Sequence, residues 1–384
     1  MPTDSSFDLA VVGAGIIGLS CALAAARLGK RVVVIDRDAQ ANGASVRNFG
    51  FITVSGQERG AMWRRAMRSR DVWAEVAADA SIPIHHQGLL LMARRPESVA
   101  VMDAFLQTEM GEGCRLLDAD ELRRDHAALT APDALAALWS PHELRVESRE
   151  AIPALAAWLT ARHGVTFLRE TAVLSVETGS VVTTRGPVQA GAIAVCPGDD
   201  LSSLFSERIA VQGVTRCKLQ MLRLADPGFR LPGGVMSDLG LVRYAGYSAL
   251  PEAQALRVRL EREQPGHLDN GVHLIAVQSA DGSLVVGDSH HYAATPDPFA
   301  HEAVDQLILE EFAAVFGRGP PPVLERWTGT YASATGRTVL VDTPMPGVRL
   351  SMVTTGAGAS TGFALGEEVA RDLFEGERAW RMTV

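Results

Sequence analysis

The chain mixes short unbroken apolar runs with longer segments in which apolar residues return every three or four positions. Phe7 to Val12 is such a run and predicts a buried strand. Ile16 to Leu28 predicts a helix closed by Gly29, and Arg31 to Ile35 predicts a second strand. Strand, helix and strand in this order make a βαβ unit, which implies a parallel sheet. Met62, Ala66, Trp73 and Ala77 fall at helical spacing. Residues 82–142 give mixed, weaker signals. A helix follows over Arg149–Arg162, with Pro153 in its first turns and Gly164 at its end. Short strands are expected at Val165–Leu168, Val173–Glu177, Val181–Thr184 and Ala192–Cys196. From Gln212 to Val286 the pattern is mainly extended, with a helix near Glu252–Arg262 and a turn at Asp281-Gly282-Ser283. A helix over 300–316, strands after the Gly319–Pro322 run, and a last helix from about Gly362 to Phe374 complete the pattern.

The first βαβ unit carries Gly13-Ala14-Gly15-Ile16-Ile17-Gly18, a GxGxxG spacing, and Asp36 ends its second strand. The spacing alone is weak. Between a strand and a helix, with an acidic residue about twenty positions on, it reads as a dinucleotide site. Gly13 permits the tight turn, Gly15 lets the backbone approach a pyrophosphate, and Gly18 lets helix and strand pack closely. The helix start offers free N–H groups and positive potential to phosphates. Asp36 is placed to accept hydrogen bonds from ribose hydroxyls.

Composition narrows the function. The 384 residues are 47% hydrophobic and 21% charged, with a net charge of −9. That balance suits a globular protein and argues against nucleic acid as main partner. Cys21, Cys114, Cys196 and Cys217 form no CxxC pair and no metal-ligand spacing, so reduced thiols and no metal are expected. The apolar run Leu9 to Ala26 follows Asp4 and Asp8 with no Lys or Arg before it, unlike an export signal. A cytoplasmic protein off the membrane is expected; the oligomeric state stays open.

The fingerprint does not choose between nicotinamide and flavin. A second glycine-rich stretch, Thr354-Thr355-Gly356-Ala357-Gly358-Ala359-Ser360-Thr361-Gly362, again reads as strand, loop and helix start. Its N–H groups and helix dipole suit the negative charge of a reduced flavin.

These motifs, with Gly43-Ala44-Ser45 and Ala194-Val195-Cys196-Pro197-Gly198, resemble the D-amino-acid oxidase, glycine oxidase and sarcosine oxidase superfamily. The resemblance covers nearly the whole chain in order. It implies an α/β fold: a Rossmann-like FAD-binding domain of the glutathione-reductase type with D-amino-acid-oxidase topology, beside a second mixed-sheet substrate domain. Residues 1–84, 145–218 and 322–384 form the discontinuous FAD domain on this reading; 85–144 and 219–321 form the cap. The implied cofactor is non-covalent FAD, since no Cys lies in the later part of the chain. The implied FAD-binding set is Gly13, Gly15, Ile16, Ile17, Gly18, Asp36, Arg37, Ser45, Arg47, Asn48, Val173, Gly198, Gly356, Gly358, Ser360, Thr361 and Gly362. The implied chemistry is oxidation of a small amine: hydride transfer to flavin N5, imine hydrolysis, and reoxidation by oxygen with release of hydrogen peroxide.

A narrower resemblance rests on Ala44 to Ile52, on Met67-Arg68-Ser69-Arg70-Asp71-Val72-Trp73 and on Gly287-Asp288-Ser289-His290. It is similar to a bacterial subgroup proposed to act on aminophosphonates related to 2-aminoethylphosphonate, primary or N-methylated. The chain departs from amino-acid oxidases at Trp327-Thr328-Gly329-Thr330-Tyr331-Ala332-Ser333, where relatives commonly place a carboxylate-gripping Arg. A doubly charged phosphonate needs cationic hydrogen-bonding partners, best an Arg fork. Arg47 can meet flavin, substrate anion or a nearby carboxylate, or pack its stem with its head in solvent. Asn48 suits backbone groups in a turn. Arg243 with Tyr244 and Tyr247 can grip an anion, although on a strand Arg243 and Tyr244 face opposite sides. His290, Tyr331, Lys218 and Arg337 are weaker candidates. The alternatives are a glycine, sarcosine or D-amino-acid oxidase, a nicotinamide-dependent dehydrogenase, and a non-catalytic flavin-binding subunit.

Overall fold

The computed structural model describes residues 6–129 and 131–376. β1 (Phe7–Val12) lies between β2 (Val32–Ile35) and the strand Gly186–Val195, all three parallel. The parallel run continues to Thr166–Leu168 on one side and Val348–Val353 on the other. Val339–Asp342 closes that end antiparallel, and Val173–Glu177 with Ser180–Thr183 forms an antiparallel ribbon on Gly186–Val195. The parallel sheet expected from the βαβ pattern is therefore present, as five parallel strands within an eight-stranded sheet.

Small residues set the packing against this sheet. α1 (Ile16–Arg27) meets the last helix, Gly358–Glu375, so closely that a Cβ on Gly366 would lie 2.5 Å from the Ser20 carbonyl carbon. α2 (Ala61–Asp79) covers both: Trp73 Nε1 donates to Ala359 O at 2.8 Å, and its ring meets Phe363 edge-on at 5.0 Å. Burying Leu19, Leu23 and Trp73 here stabilises the layer by about 1.5–3 kcal/mol per large side chain.

The second sheet has ten strands in mixed directions. Thr215–Leu224 pairs along its length with Val323–Ser333 and, on its other edge, with Leu284–Gly287 and His291–Ala293. Phe51–Ile52 also joins this sheet.

Three expectations are corrected. Residues 82–142 hold real structure, including the long pair Ile84–Ala93 and Ala136–Val146. Most of Ile84–Ala93 is buried on both faces, which erases the alternation that marks a strand. The helix expected near Glu252–Arg262 is present as Ala253–Glu263, but the chain around it is not extended: Asp238–Val242, Ala245–Ser248 and Pro265–Asp269 are helical too. The final helix begins at Gly358, four residues earlier than expected. Its Gly, Ala, Ser and Thr read as loop, but close packing on α1 requires small residues there.

Candidate active site

The glycine turn is built as its spacing implies. Gly13 has φ +100°, and a Cβ on it would meet Cys196 O at 2.4 Å. A Cβ on Gly18 would meet Gly13 O at 1.9 Å. Gly15 is the N-cap of α1 and has no side chain to cap it. Ser45 supplies the cap instead: its Oγ accepts from Ile16 N at 2.9 Å. Asp36 Oδ2 accepts from Ala14 N at 2.6 Å and Oδ1 from Asp38 N at 2.9 Å, so its carboxylate is tied to the turn.

A cavity of about 420 Å³ runs from this turn to the second sheet. Its near wall includes Gly15 to Gly18, Ser45, Arg47, Asn48, Gly198 and the stretch Gly356 to Ser360. Its far wall includes Arg243, Tyr244, Asp288, His290, Tyr292 and Tyr331. Of the anticipated residues, Gly13, Asp36, Arg37, Val173, Tyr247, Thr361 and Gly362 do not line it. Arg37 pairs with Asp200 at 2.8 Å. Thr361 Oγ1 donates to Ala357 O at 2.8 Å, and Gly362 packs on Ile17, both within the last helix. Tyr247 is fully buried behind the cavity, edge-on to Phe105 at 4.7 Å.

The stretch after Ser45 is a brace. Asn48 Nδ2 donates to Ala44 O at 2.6 Å, while its Oδ1 accepts from Gly50 N and Ser148 Oγ, each at 2.7 Å. The backbone of Arg47 lies against the second sheet: its carbonyl accepts from Trp327 Nε1 at 3.3 Å, and a Cβ on Gly329 would come within 2.8 Å of it. The Arg47 guanidinium donates to Asn42 Oδ1 at 3.1 Å. Arg47 therefore joins the two sheets through its backbone. Lys218 is outside the cavity, bound to Asp297 at 2.8 Å and Phe299 O at 2.9 Å.

Because Arg243 and Tyr244 sit where two helical turns meet, both reach the cavity, which a strand would prevent. Arg243 Nη2 donates to Tyr292 Oη at 3.1 Å. Among the described residues, no carboxylate lies within ion-pair distance of it.

His273 and Asp288, neither marked as site candidates from the sequence, join His290 in a buried group. His273 Nδ1 is 3.5 Å from Asp288 Oδ1, and His290 Nε2 is 3.6 Å from Asp288 Oδ2. The outer nitrogens are engaged, His273 Nε2 with Tyr244 Oη at 3.0 Å and His290 Nδ1 with Gly271 O at 2.9 Å. Burial pushes Asp288 up to about 7, against the opposing pull of Arg243. Burial and then Arg243 push both imidazoles well below their ordinary range. The facing atoms lie within 4.8 Å of one another, a spacing that can surround a cation; the adjacent Arg243 charge opposes one. A signal for this group existed in the sequence. Counting outward from the Asp281-Gly282-Ser283 turn pairs Ile275 with Gly287 and brings His273 to within one position of Asp288, and backbone bonds in the structure then join those two residues.

A dinucleotide turn on a parallel sheet, with a second sheet closing the same cavity, defines a nucleotide-dependent α/β enzyme fold. Residues 8–371 match the family model for FAD dependent oxidoreductases (DAO), and the chain belongs to that family. Its cofactor is FAD, and the cradle fits it. The turn glycines stand where side chains would intrude, and Gly356, at φ +75°, has no room for a Cβ beside the Tyr331 ring. Glycine oxidase from Bacillus cereus ATCC 14579 has the same fold, with TM-score 0.76 and 17% identity over 96% of this chain and 95% of that one. L-proline dehydrogenase from P. horikoshii gives 0.75 and 18% over 96% and 94%. FAD-bound L-alpha-glycerophosphate oxidase from Mycoplasma pneumoniae gives 0.70 and 15% over 96% and 95%. No curated protein matches the chain. Among the described residues, no helix is long and apolar enough to cross a membrane.

Proposed function

We propose that this protein oxidises the C–N bond of a small amine that carries an anionic group, with an aminophosphonate related to 2-aminoethylphosphonate as the substrate and oxygen as the acceptor. The observation that carries the reading is Arg243, a guanidinium in the cavity wall with one hydrogen bond, to Tyr292, and no paired carboxylate among the described residues. A fork of N–H donors in a low-dielectric wall suits a phosphonate or carboxylate and rejects a neutral tail. The names of the similar structures support both halves. Glycine oxidase and L-proline dehydrogenase are named for amino acids, and L-alpha-glycerophosphate oxidase for a phosphate ester.

On this reading the parallel sheet serves the cofactor. Gly13 to Gly18 and Ser45 hold the pyrophosphate end of FAD, and Gly356 to Ser360 meet the ring. The second sheet serves the substrate, together with Phe51–Ile52, Thr215–Leu224 and Val323–Ser333, which pair within it. FAD supplies the hydride acceptor. Arg243 fixes the anion, and the buried wall excludes water, so that the amine is held in one orientation.

The test is anaerobic mixing of the yellow protein with 2-aminoethylphosphonate, its N-methyl and 1-hydroxy relatives, glycine, sarcosine and D-alanine, following the visible flavin band. Fast bleaching by the phosphonates is expected. Faster bleaching by glycine or D-alanine would replace the phosphonate with a carboxylate on Arg243. No bleaching by any amine would sink the reading.

A further inference from the structure

His290 Nδ1 faces the Gly271 carbonyl at 2.9 Å, and a carbonyl only accepts, so Nδ1 carries the hydrogen. In the neutral ring Nε2 is then a bare acceptor, and it points at Asp288 Oδ2 from 3.6 Å. An ionised carboxylate there sets lone pair against lone pair. Asp288 Oδ1 and His273 Nδ1 also have no hydrogen-bond partner. The gap between Asp288 and His290 is therefore built to receive one proton. Asp288 and His290 line the same cavity as Arg243 and the flavin-side loop.

We infer that Asp288, backed by His290, is the catalytic group that takes the proton from the substrate's ammonium and so releases the neutral amine for oxidation. This rests on the amine-oxidising function proposed above. The ammonium N–H bond breaks, its electron pair stays on nitrogen, and the proton bonds to an Asp288 oxygen and is shared with His290 Nε2. A cation and an anion become two neutral groups, which a buried site favours. The groups facing the pair are Arg243, Tyr244, His273, His291, Tyr331, Tyr292 and Cys217. Arg243 supplies a fixed charge. Burial holds Tyr244 and Tyr331 above their ordinary range and pushes Cys217 up to about 11, so these three do not titrate near neutrality. Burial, by pushing Asp288 up to about 7, places it where it can accept a proton at neutral pH.

The experiment uses the FAD-loaded protein. Anaerobic flavin reduction by 2-aminoethylphosphonate and by glycine is followed against pH in wild type and Asp288→Asn. Wild type is expected to gain rate up to about pH 7 and then level off. Asp288→Asn is expected to lose about 100-fold or more at neutral pH. Its rate should then climb tenfold per pH unit toward the free-amine region near pH ~10, because only amine already deprotonated in solution can react. Asp288→Glu should restore part of the loss. Carbon-13 NMR of Asp-labelled wild-type holoprotein gives a readout independent of turnover and of the variant's folding: one carboxyl should titrate near neutrality. The inference is overturned alone if wild type is reduced and the variant keeps its pH profile. It is overturned also if every Asp carboxyl titrates in the ordinary range, or if the holoprotein holds a stoichiometric transition metal whose chelation abolishes the wild-type profile. If no amine reduces the wild-type flavin while the neutral titration is present, the proposed function fails and takes this inference with it.

Discussion

Arg95 grips Asp238 through one nitrogen, Nη1 lying 2.9 Å from Oδ1 and 3.1 Å from Oδ2, with both residues buried. Ser98 Oγ adds a bond to Asp238 at 2.7 Å. Asp238 opens the helical turn that ends at Arg243, so a bond between residues 143 apart sets the position of the cavity's cation. Arg95→Ala leaves a buried carboxylate unpaired and is expected to cost about 3–5 kcal/mol. Urea unfolding would register this, and the surviving protein should bind 2-aminoethylphosphonate more weakly.

Arg243→Ala should lower kcat/KM for phosphonate amines by about 10–150-fold, the weight of about 1.5–3 kcal/mol for hydrogen bonds to a charged group. Arg243→Lys keeps the charge but loses the fork and should recover only part of it. A neutral amine of similar size should respond little to either change, which steady-state kinetics can read.

A Cβ on Gly15 would lie 2.9 Å from Ser45 Oγ, whereas a Cβ on Gly43 would meet nothing closer than 4.0 Å. Gly15→Ala is therefore expected to weaken FAD binding by about 1–3 kcal/mol. Gly43→Ala should leave it unchanged. Fluorescence of released FAD during dilution measures the difference.

Folded Asp288 holds its proton up to about 7, while the unfolded chain releases it near the ordinary carboxylate value. Between those values the native state binds more protons, so this group's contribution to stability falls as pH rises, by up to about 4 kcal/mol. The two buried histidines act in the opposite sense, because the unfolded chain protonates them first on acidification. Wild type and Asp288→Asn must therefore be compared directly. The variant's advantage in urea midpoint should grow between about pH 4 and pH 7 and then hold constant.

Cys196 lines the cavity, but contact with the free thiol of Cys21, and then burial, raise its pKa well above the ordinary thiol value. A thiol held neutral is a poor nucleophile. FAD should accordingly leave the protein on acid precipitation and be recovered in the supernatant; yellow colour remaining in the pellet would contradict this.

The nucleotide half was legible in the sequence because its requirements are local. Gly13, Gly15 and Gly18 are read from spacing alone, although only the contact that excludes a Cβ on Gly18 comes from the same turn, while those at Gly13 and Gly15 come from Cys196 and Ser45. The substrate wall was half legible. Arg243, Tyr244, His290 and Tyr331 carry chemistry that any reader would mark, yet the coil that brings Arg243 and Tyr244 together depends on Arg95, far away in the chain. His273 stayed hidden because its meaning comes only from the pairing of Ile275–Gln278 with Leu284–Gly287. Arg47 shows the reverse. Its residue type left flavin, anion, carboxylate and solvent all open, whereas its backbone contacts with Trp327 and Gly329 give it a seam to hold while its guanidinium bonds Asn42.

The bond from Thr53 N to Ser360 Oγ closes the flavin-side wall across 307 residues of chain. At a synthesis rate of roughly 5–20 residues per second, the first wall leaves the ribosome roughly 15–60 s before the helix that completes it. Throughout that interval the face of α1 that will meet Gly362 and Gly366 stays uncovered, and the cofactor has only half a site. FAD thus acts late in the birth of this protein. Its supply is expected to govern how much newly made chain reaches the native state, and less to govern the first folding of the βαβ unit.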